Sequence, residues 1–312
     1  MAYGSQHSFA MVLETGGYAV TPATPVFFSV PITKFAGGVS MDQIEDTTIR
    51  GDRQIAYVVN GAISNKFSAT ETLRYGAYDS LFEAASCGTW AAGTGTSFVL
   101  SPGVTYRSFT GERHFGDMTG KPYFRHTGVE LAKMSLKCGK DALIETTLDF
   151  VAQDENSASG IVSGATYGAI PTSVAPFDSF NAVISVGGTA QTVVEDFTLE
   201  LDNTPEEKRV VGSRLAIQPA MLFSRVSGSI QCYFDSPTLF DIYKPGTATA
   251  IDLLLTDPAG NHLEFSAPKA LLGGDANRDV SGPGAVHVTF KFKAYLDPST
   301  GTNLVITRTP HA

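Results

Sequence analysis

Two arginines and three acids sit close together in IEDTTIRGDRQ, residues 44–54, where Glu45, Asp46, Arg50, Asp52 and Arg53 stand within one short stretch of a sparsely charged chain. Three kinds of chemistry suit it. Paired carboxylates can hold a metal or share a proton, but that takes a pocket that desolvates one of them. Arg50-Gly51-Asp52 is a tripeptide that animal adhesion receptors read, although three-letter matches arise often by chance. The third possibility is that the opposite charges bind each other, within one subunit or between two. Without a pocket partner, Glu45, Asp46 and Asp52 read best as salt-bridge partners of Arg50 and Arg53.

Other candidate chemistry is thin. There is no GxSxG elbow, no HExxH, no GxxxxGK and no GxGxxG after a strand. His114 and His126 flank FGDMTGKPYFR, a loop-like stretch with Asp117 and Lys121, but no histidine or cysteine stands at ligand spacing from another. Cys87, Cys138 and Cys232 are far apart and odd in number, the pattern of free buried thiols in a reducing compartment. The sequence therefore predicts no enzyme, no metal and no cofactor.

The elements that must position these residues are mostly strands. Ile63, Asn65, Phe67 and Ala69 alternate with Ser64, Lys66, Ser68 and Thr70. The same period of two runs through 144–150, 226–234 and 286–293, and means one face on a core and one face polar. Two short helices are expected. Residues 79–85 would be capped by Asp79 and stopped at Gly88. Residues 236–243 would be capped by Ser236, with Pro237 first in the helix.

These helices reveal an internal repeat. ISNKFSA (63–69) leads into DSLFEAA, as VSGSIQC (226–232) leads into SPTLFDIY, and Leu81-Phe82-Glu83 matches Leu239-Phe240-Asp241. Each half opens on a polar strand (39–53, 194–209) and closes on a long alternating one (144–154, 288–297). The expectation is one strand–strand–helix–strand unit used twice, with domains at 1–165 and 166–312. The Gly, Ala, Ser and Pro-rich stretch at about 155–180 links them, and its apolar residues suit a linker lying on a surface.

Composition narrows the role. Only 17% of the 312 residues are charged while 43% are hydrophobic, so much of the surface is expected to be covered by further copies. A net charge of -9 with no basic stripe argues against stable nucleic-acid binding, yet an acidic wall would let DNA slide past. No apolar run reaches the ~20 residues of a membrane span, and no export signal is recognisable, so a soluble, unanchored protein is expected.

Residues 44–90 resemble the tail tube (major tail) proteins of long, non-contractile-tailed bacteriophages. The marks are E-x-x-x-I-R-G-D-R at Glu45 to Arg53 and Asn60-Gly61 ahead of a polar-alternating strand. To these are added the aromatic-Asp-x-Leu-Phe-Glu-Ala run from Tyr78 to Ala84 and Gly88-Thr89-Trp90. Gly4-Ser5, Glu14-Thr15 and Thr21-Pro22-Ala23-Thr24-Pro25 fit the same family, and from 190 onward the likeness rests on the repeat. The resemblance implies a mainly β protein of two similar tube domains, sandwich or barrel-like, each with a short flanking helix. Such a structural virion protein closes into rings that stack into a hollow tube. DNA passes through its lumen without specific binding, and a tape-measure protein fills it beforehand. A tail terminator and a distal tail protein would be its other partners. A two-domain chain would close a ring with three copies and pseudo-sixfold symmetry, with a true hexamer as the alternative. The stretch from about Lys34 to Asn60 would reach a neighbouring ring. A terminator or baseplate hub ring is the nearest rival, and a carbohydrate-binding or adhesive β-sandwich a rival of another class.

Overall fold

The computed structural model describes residues 3–171, 174–280 and 282–311. Strands hold 51% of the residues and helices 6%, so the chain is mainly β, as the alternating patterns require. The first half runs β1 (His7–Leu13), β2 (Val26–Val30), β3 (Lys34–Glu45), β4 (Val58–Thr72), α1 (Asp79–Ser86), short β5 (Ala91–Ala92) and β6 (Phe98–Leu100), β7 (Phe109–Phe115), β8 (Tyr123–Gly139), β9 (Glu145–Ala152) and β10 (Asp154–Ala158). A two-residue β11 (Thr166–Tyr167) lies in the connection. The second half runs β12 (Ala182–Val186), short β13 (Thr189–Ala190), β14 (Val194–Asp202), β15 (Pro205–Lys208), β16 (Ile217–Met221), β17 (Arg225–Tyr233), α2 (Thr238–Tyr243), β18 (Thr249–Thr256), β19 (His262–Gly273), β20 (His287–Ala294) and β21 (Val305–Thr309).

The expected period of two is obeyed strand by strand. Asn65, Phe67, Ala69 and Glu71 of β4 are buried, while Ser64, Lys66, Ser68 and Thr70 between them are partly or fully exposed. Thr146, Leu148 and Phe150 do the same on β9, and Val288, Phe290 and Phe292 on β20. Each fully buried Phe or Leu stabilises the fold by roughly 1.5–3 kcal/mol, and one continuous buried cluster runs through both halves.

These faces pack as an open, sandwich-like pair of layers. The inner sheet is ordered β3–β4–β9–β8–β14–β17–β20–β19, antiparallel throughout. Two outer ladders cover it, β2–β1–β7–β8–β10 and β12–β18–β19–β21. β8 and β19 belong to both layers because each is long enough to bend across. β8 does so at a register shift between Leu131 and Lys133, where a bulge turns the strand. Phe9 of β1 meets Phe67 of β4 edge-on at 6.1 Å across the gap between layers.

The pairing order is the same in both halves. β1–β7–β8–β9–β4–β3 in the first is matched by β12–β18–β19–β20–β17–β14 in the second. α1 follows β4 and packs on β8, and α2 follows β17 and packs on β19. The connecting stretch lies on the surface of the first half. Val162 and Ala165 pack on the cluster around Phe27, Tyr167 stacks on Phe27 at 5.1 Å, and β11 pairs in parallel with β2. Residues 172 and 173 of this stretch lie outside the described residues.

The helix caps differ from expectation. Asp79 is the first helical residue, not the cap; Tyr78 precedes it, and the Asp79 carboxylate pairs with Arg308. Pro237 is the cap of α2, which starts at Thr238, and the Ser236 hydroxyl bonds Thr238 instead of backbone. At the end of α1 the left-handed residue is Cys87 (φ 50°). Gly88 is required for another reason: a Cβ there would stand 2.2 Å from the Ser101 carbonyl oxygen.

Candidate functional site

The five charged residues singled out in the sequence sit on the connection between β3 and β4. The two strands form a long hairpin, with Glu45 opposite Val58 as the last paired position and the Asp46 amide donating to the Tyr57 carbonyl at 2.8 Å. Beyond it the chain is exposed, Ile49 almost completely at 97%. Arg50 Nη2 meets Asp52 Oδ2 at 3.1 Å, with both side chains about half exposed. Asp46 accepts bonds from the Thr48 amide and hydroxyl at 3.0 and 2.5 Å, and these hold its carboxyl below the usual range. Glu45 and Arg53 form no ion pair among the described residues. The structure thus joins Arg50 to Asp52 and keeps Asp46 for a local turn; it does not gather the five into one cluster.

The larger feature is the polar face of the inner sheet. Lys66, Lys133, Lys137, Lys291 and Lys293 alternate with buried neighbours on their strands, interleaved with Glu145, Asp149, Asp196, Glu200 and Asp202. Lys133 and Glu200 pair across β8 and β14 at 3.0 Å. The second-half part of this face forms an open groove of about 930 Å³ lined by Thr198, Ser229, Leu271, Lys291, Lys293 and Tyr295. The acidic surplus of the chain is not concentrated here.

The halves meet where β8 pairs with β14, from Lys133 opposite Asp202 to Gly139 opposite Asp196. α1 seals this junction from beneath: Leu81, Phe82, Ala84 and Ala85 are buried, and Phe82 lies edge-on to Phe265 of β19 at 5.9 Å. Asn203, also buried, donates from Nδ2 to the carbonyls of Ala85 (2.8 Å) and Leu131 (3.1 Å). At the far end Glu195 takes Lys140 Nζ and His287 Nδ1 at 2.6 Å each; the Lys140 bond chiefly holds its carboxyl down at about 2. The β15–β16 hairpin then folds back over the first half. Lys66 bonds Glu207 at 2.7 Å, Arg209 Nη1 and the Ile63 amide bond across to Ile63 and Arg214 carbonyls at 3.0 Å, and Gln218 Nε2 bonds Glu130 Oε1 at 2.7 Å.

A family model described as phage tail tube protein matches residues 4–294 of this architecture. The chain belongs to that family. It is a structural protein of the phage tail. No individual curated protein matches the chain significantly.

Several further polar and ionisable groups of this tail tube protein hold the fold together. Glu14, buried, accepts bonds from Ser108, Thr110 and the amides of Ala19 and Gly128 at 2.6–2.9 Å, which fixes the arm between β1 and β2. His126 lies on β8 and not on a loop; burial lowers its pKa to about 3, so it is a neutral acceptor for Asn65 at 3.1 Å. His114 ends β7 and stacks on Tyr123 at 4.5 Å, and no metal-holding cluster occurs among the described residues. The three cysteines are free and buried, and burial raises each thiol pKa. Trp90 packs against the core, its indole N–H donating to the Asp79 carbonyl at 3.2 Å. Among the described residues, no helix is long and apolar enough to cross a membrane.

Sequence reasoning missed the buried polar residues, Glu71 within the first half and Asn203 and Glu130 where the halves meet. Glu71 carried a signal, since it continues the inward set Asn65, Phe67, Ala69; desolvation raises its pKa well above the usual range and keeps it protonated. Asn203 and Glu130 carried none, because their partners are 72 to 118 residues away.

Proposed function

We propose that copies of this chain close into rings, and that the rings stack into the tube of a long, non-contractile tail through which DNA leaves the capsid. The supporting observation is the inner sheet itself. It has one apolar face on the core, one polar face, and an outermost strand, β3, whose second edge is bare because among the described residues it pairs with β4 alone. An exposed edge of this length either aggregates or assembles, and rings use it for assembly.

On this reading the chain holds two tube domains, 1–165 and 166–312, and three copies complete a ring of pseudo-sixfold symmetry. The pairing order repeated in the halves supports this, since β8–β14 would then be one of six similar junctions. The polar face lines the lumen. Its interleaved lysines and carboxylates give neither a basic stripe that would hold DNA nor the uniformly acidic wall that composition suggested. The exposed β3–β4 hairpin, with Glu45, Asp46, Arg50, Asp52 and Arg53, reaches across to a neighbouring subunit or ring. The tape-measure protein fills the lumen before infection, and a terminator and distal tail protein close the ends.

Negative-stain microscopy and mass photometry of the purified chain test this. Stacked rings of three chains are the expected result. Rings of six overturn the trimer, and a chain that stays monomeric at every concentration overturns the assembly reading.

A further inference from the structure

We propose that Gly274–Asp279 is an unformed strand of the inner sheet, completed when β3 of a second copy pairs along it. The proposal rests on the ring reading and specifies its junction. The observation behind it is that the chain displays the same junction once, already closed.

The repeated ladder fixes the equivalences. Phe67 and Phe150 are opposite each other on β4 and β9, as Gly228 and Phe292 are on β17 and β20. Leu131 lies opposite Phe150, and Leu272 opposite Phe292. Along β3, Gly37 lies opposite Phe67, just as Leu199 of β14 lies opposite Gly228. β8 therefore corresponds to β19, and β14 to β3. In the first half β8 continues past the bend for Lys133–Gly139, held by β9 on one side and β14 on the other. The corresponding stretch of the second half starts at Gly273, and there the strand stops.

Beyond Gly273 the chain has the marks of a strand missing a neighbour. Asp275–Val280 is irregular, and none of its backbone groups forms a hydrogen bond among the described residues. β20 is likewise open: its pairing with β19 ends at Lys291, so His287, Thr289 and their neighbours have β17 on one side only. Backbone groups left without partners cost stability unless water or another strand takes them. Ala276, at the place of buried Leu136, already packs against the core. Arg278 rests over Phe240 of α2 at 4.4 Å.

α2 points the same way. Its counterpart α1 has five buried residues beneath β14, whereas α2 buries only Leu239. A second copy's β3 arriving along Gly274–Asp279 would cover α2 as β14 covers α1. The transferred register sets Gly273 opposite Ser40, Asp275 opposite Gly38, Asn277 opposite Ala36 and Asp279 opposite Lys34. The last is an ion-pairing position, and both edges bend at glycines of positive φ, Gly37 (98°) and Gly274 (81°), the latter held by the Tyr243 hydroxyl donating to its carbonyl at 2.8 Å. Because half of the junction is unformed in the free chain, the bare β3 edge meets no ready partner until the acceptor straightens.

Two measurements test this together. In the natural chain, hydrogen exchange at Asp275–Asp279 should be that of open backbone in the monomer and become protected in tubes. Equal protection in both states overturns the proposal. Carrying Ala36→Cys and Asn277→Cys in one chain, oxidised tubes should give chains joined into closed sets on a non-reducing gel. Ala36→Cys with Gly273→Cys, four residues out of register, should not. Tubes that cross-link through the second pair, or through neither, overturn the register. Failure of the natural chain to form tubes at all overturns instead the assembly reading on which this rests.

Discussion

The two halves share one strand order and differ in how much of it is covered. α1 and α2 follow equivalent strands, yet α1 has five buried residues while α2 fully buries only Leu239 and leaves Phe240, Ile242 and Tyr243 half-buried. The connections differ in the same sense. The one between β14 and β17 forms the β15–β16 hairpin and bonds back onto β4, β8 and Gln153 of the first half. The one between β3 and β4 stands free, with Ile49, Ile55 and Tyr57 exposed. Fold does not account for the difference; the presence of a neighbour does. The first half has the second beside it, whereas among the described residues no strand pairs with the far edge of the second half beyond Gly273 and Lys291.

The sharpest way to break this comparison is to truncate the same residue of each helix. Leu81→Ala removes a side chain with no exposure and should cost about 2–5 kcal/mol in urea unfolding of the free chain. Leu239→Ala should sit at or below the low end of that range in the free chain, and its cost should appear in the stability of assembled tubes. Equal losses in the monomer would show that α2 is already supported and that the contrast is false.

A smaller effect comes from Glu130, which the folded-back hairpin covers. Burial raises its pKa to about 7 against a Gln218 bond that opposes the shift. The folded state then holds a proton that the unfolded state releases above its value of 4.5. Its contribution is full below that pH and is lost as pH rises towards 7, by up to about 3 kcal/mol. Glu130→Gln keeps an acceptor for Gln218 and should flatten this slope. A variant whose stability follows the same pH curve as the natural chain would remove Glu130 from the account.

Smaller again is Asn203→Leu, which leaves the Ala85 and Leu131 carbonyls without a donor at the junction and should cost about 1–3 kcal/mol. Met41 follows Ser40 on β3 as Asn203 follows Asp202 on β14, but it is exposed. Met41→Ser should therefore change monomer stability by no more than about 0.5 kcal/mol, as thermal melts of both variants would show.

The contrast also marks what could be read from the sequence. Period-two alternation is local, so β4, β9, β17 and β20 were legible with their faces, as were both helices and the repeated order. The bend of β8 was not, because a bulge at Leu131–Lys133 leaves no composition signal in LAKMS. The junction stayed hidden for a related reason: Asn203, Glu130 and Gln218 acquire meaning only through contacts far along the chain. The charged stretch at 44–54 was legible as a family mark, but its geometry was not. Nothing in IEDTTIRGDRQ says that Asp46 turns to Thr48 while Arg50 takes Asp52.

That stretch gives the smallest effect on the free chain and the finest test of the comparison. Arg50 and Asp52 are about half exposed, so their pair is worth little to folding. Reversing Arg50→Glu and Arg53→Glu together should move the melting transition by less than about 0.5 kcal/mol equivalent while blocking tube formation. The second step separates a local pair from a contact between copies. Exchanging the charges, Arg50→Glu with Asp52→Arg, rebuilds the pair within the hairpin but presents reversed signs to any neighbour. If the pair only shapes the hairpin, the exchanged chain assembles as the natural one does. If the hairpin meets another copy through these charges, assembly stays blocked, and salt weakens the natural chain's assembly over the same range in which it screens exposed charges, a Debye length of about 8 Å at 0.15 M. Recovery by the exchange would assign the free hairpin a shape and leave its partner to the exposed Ile49, Ile55 and Tyr57.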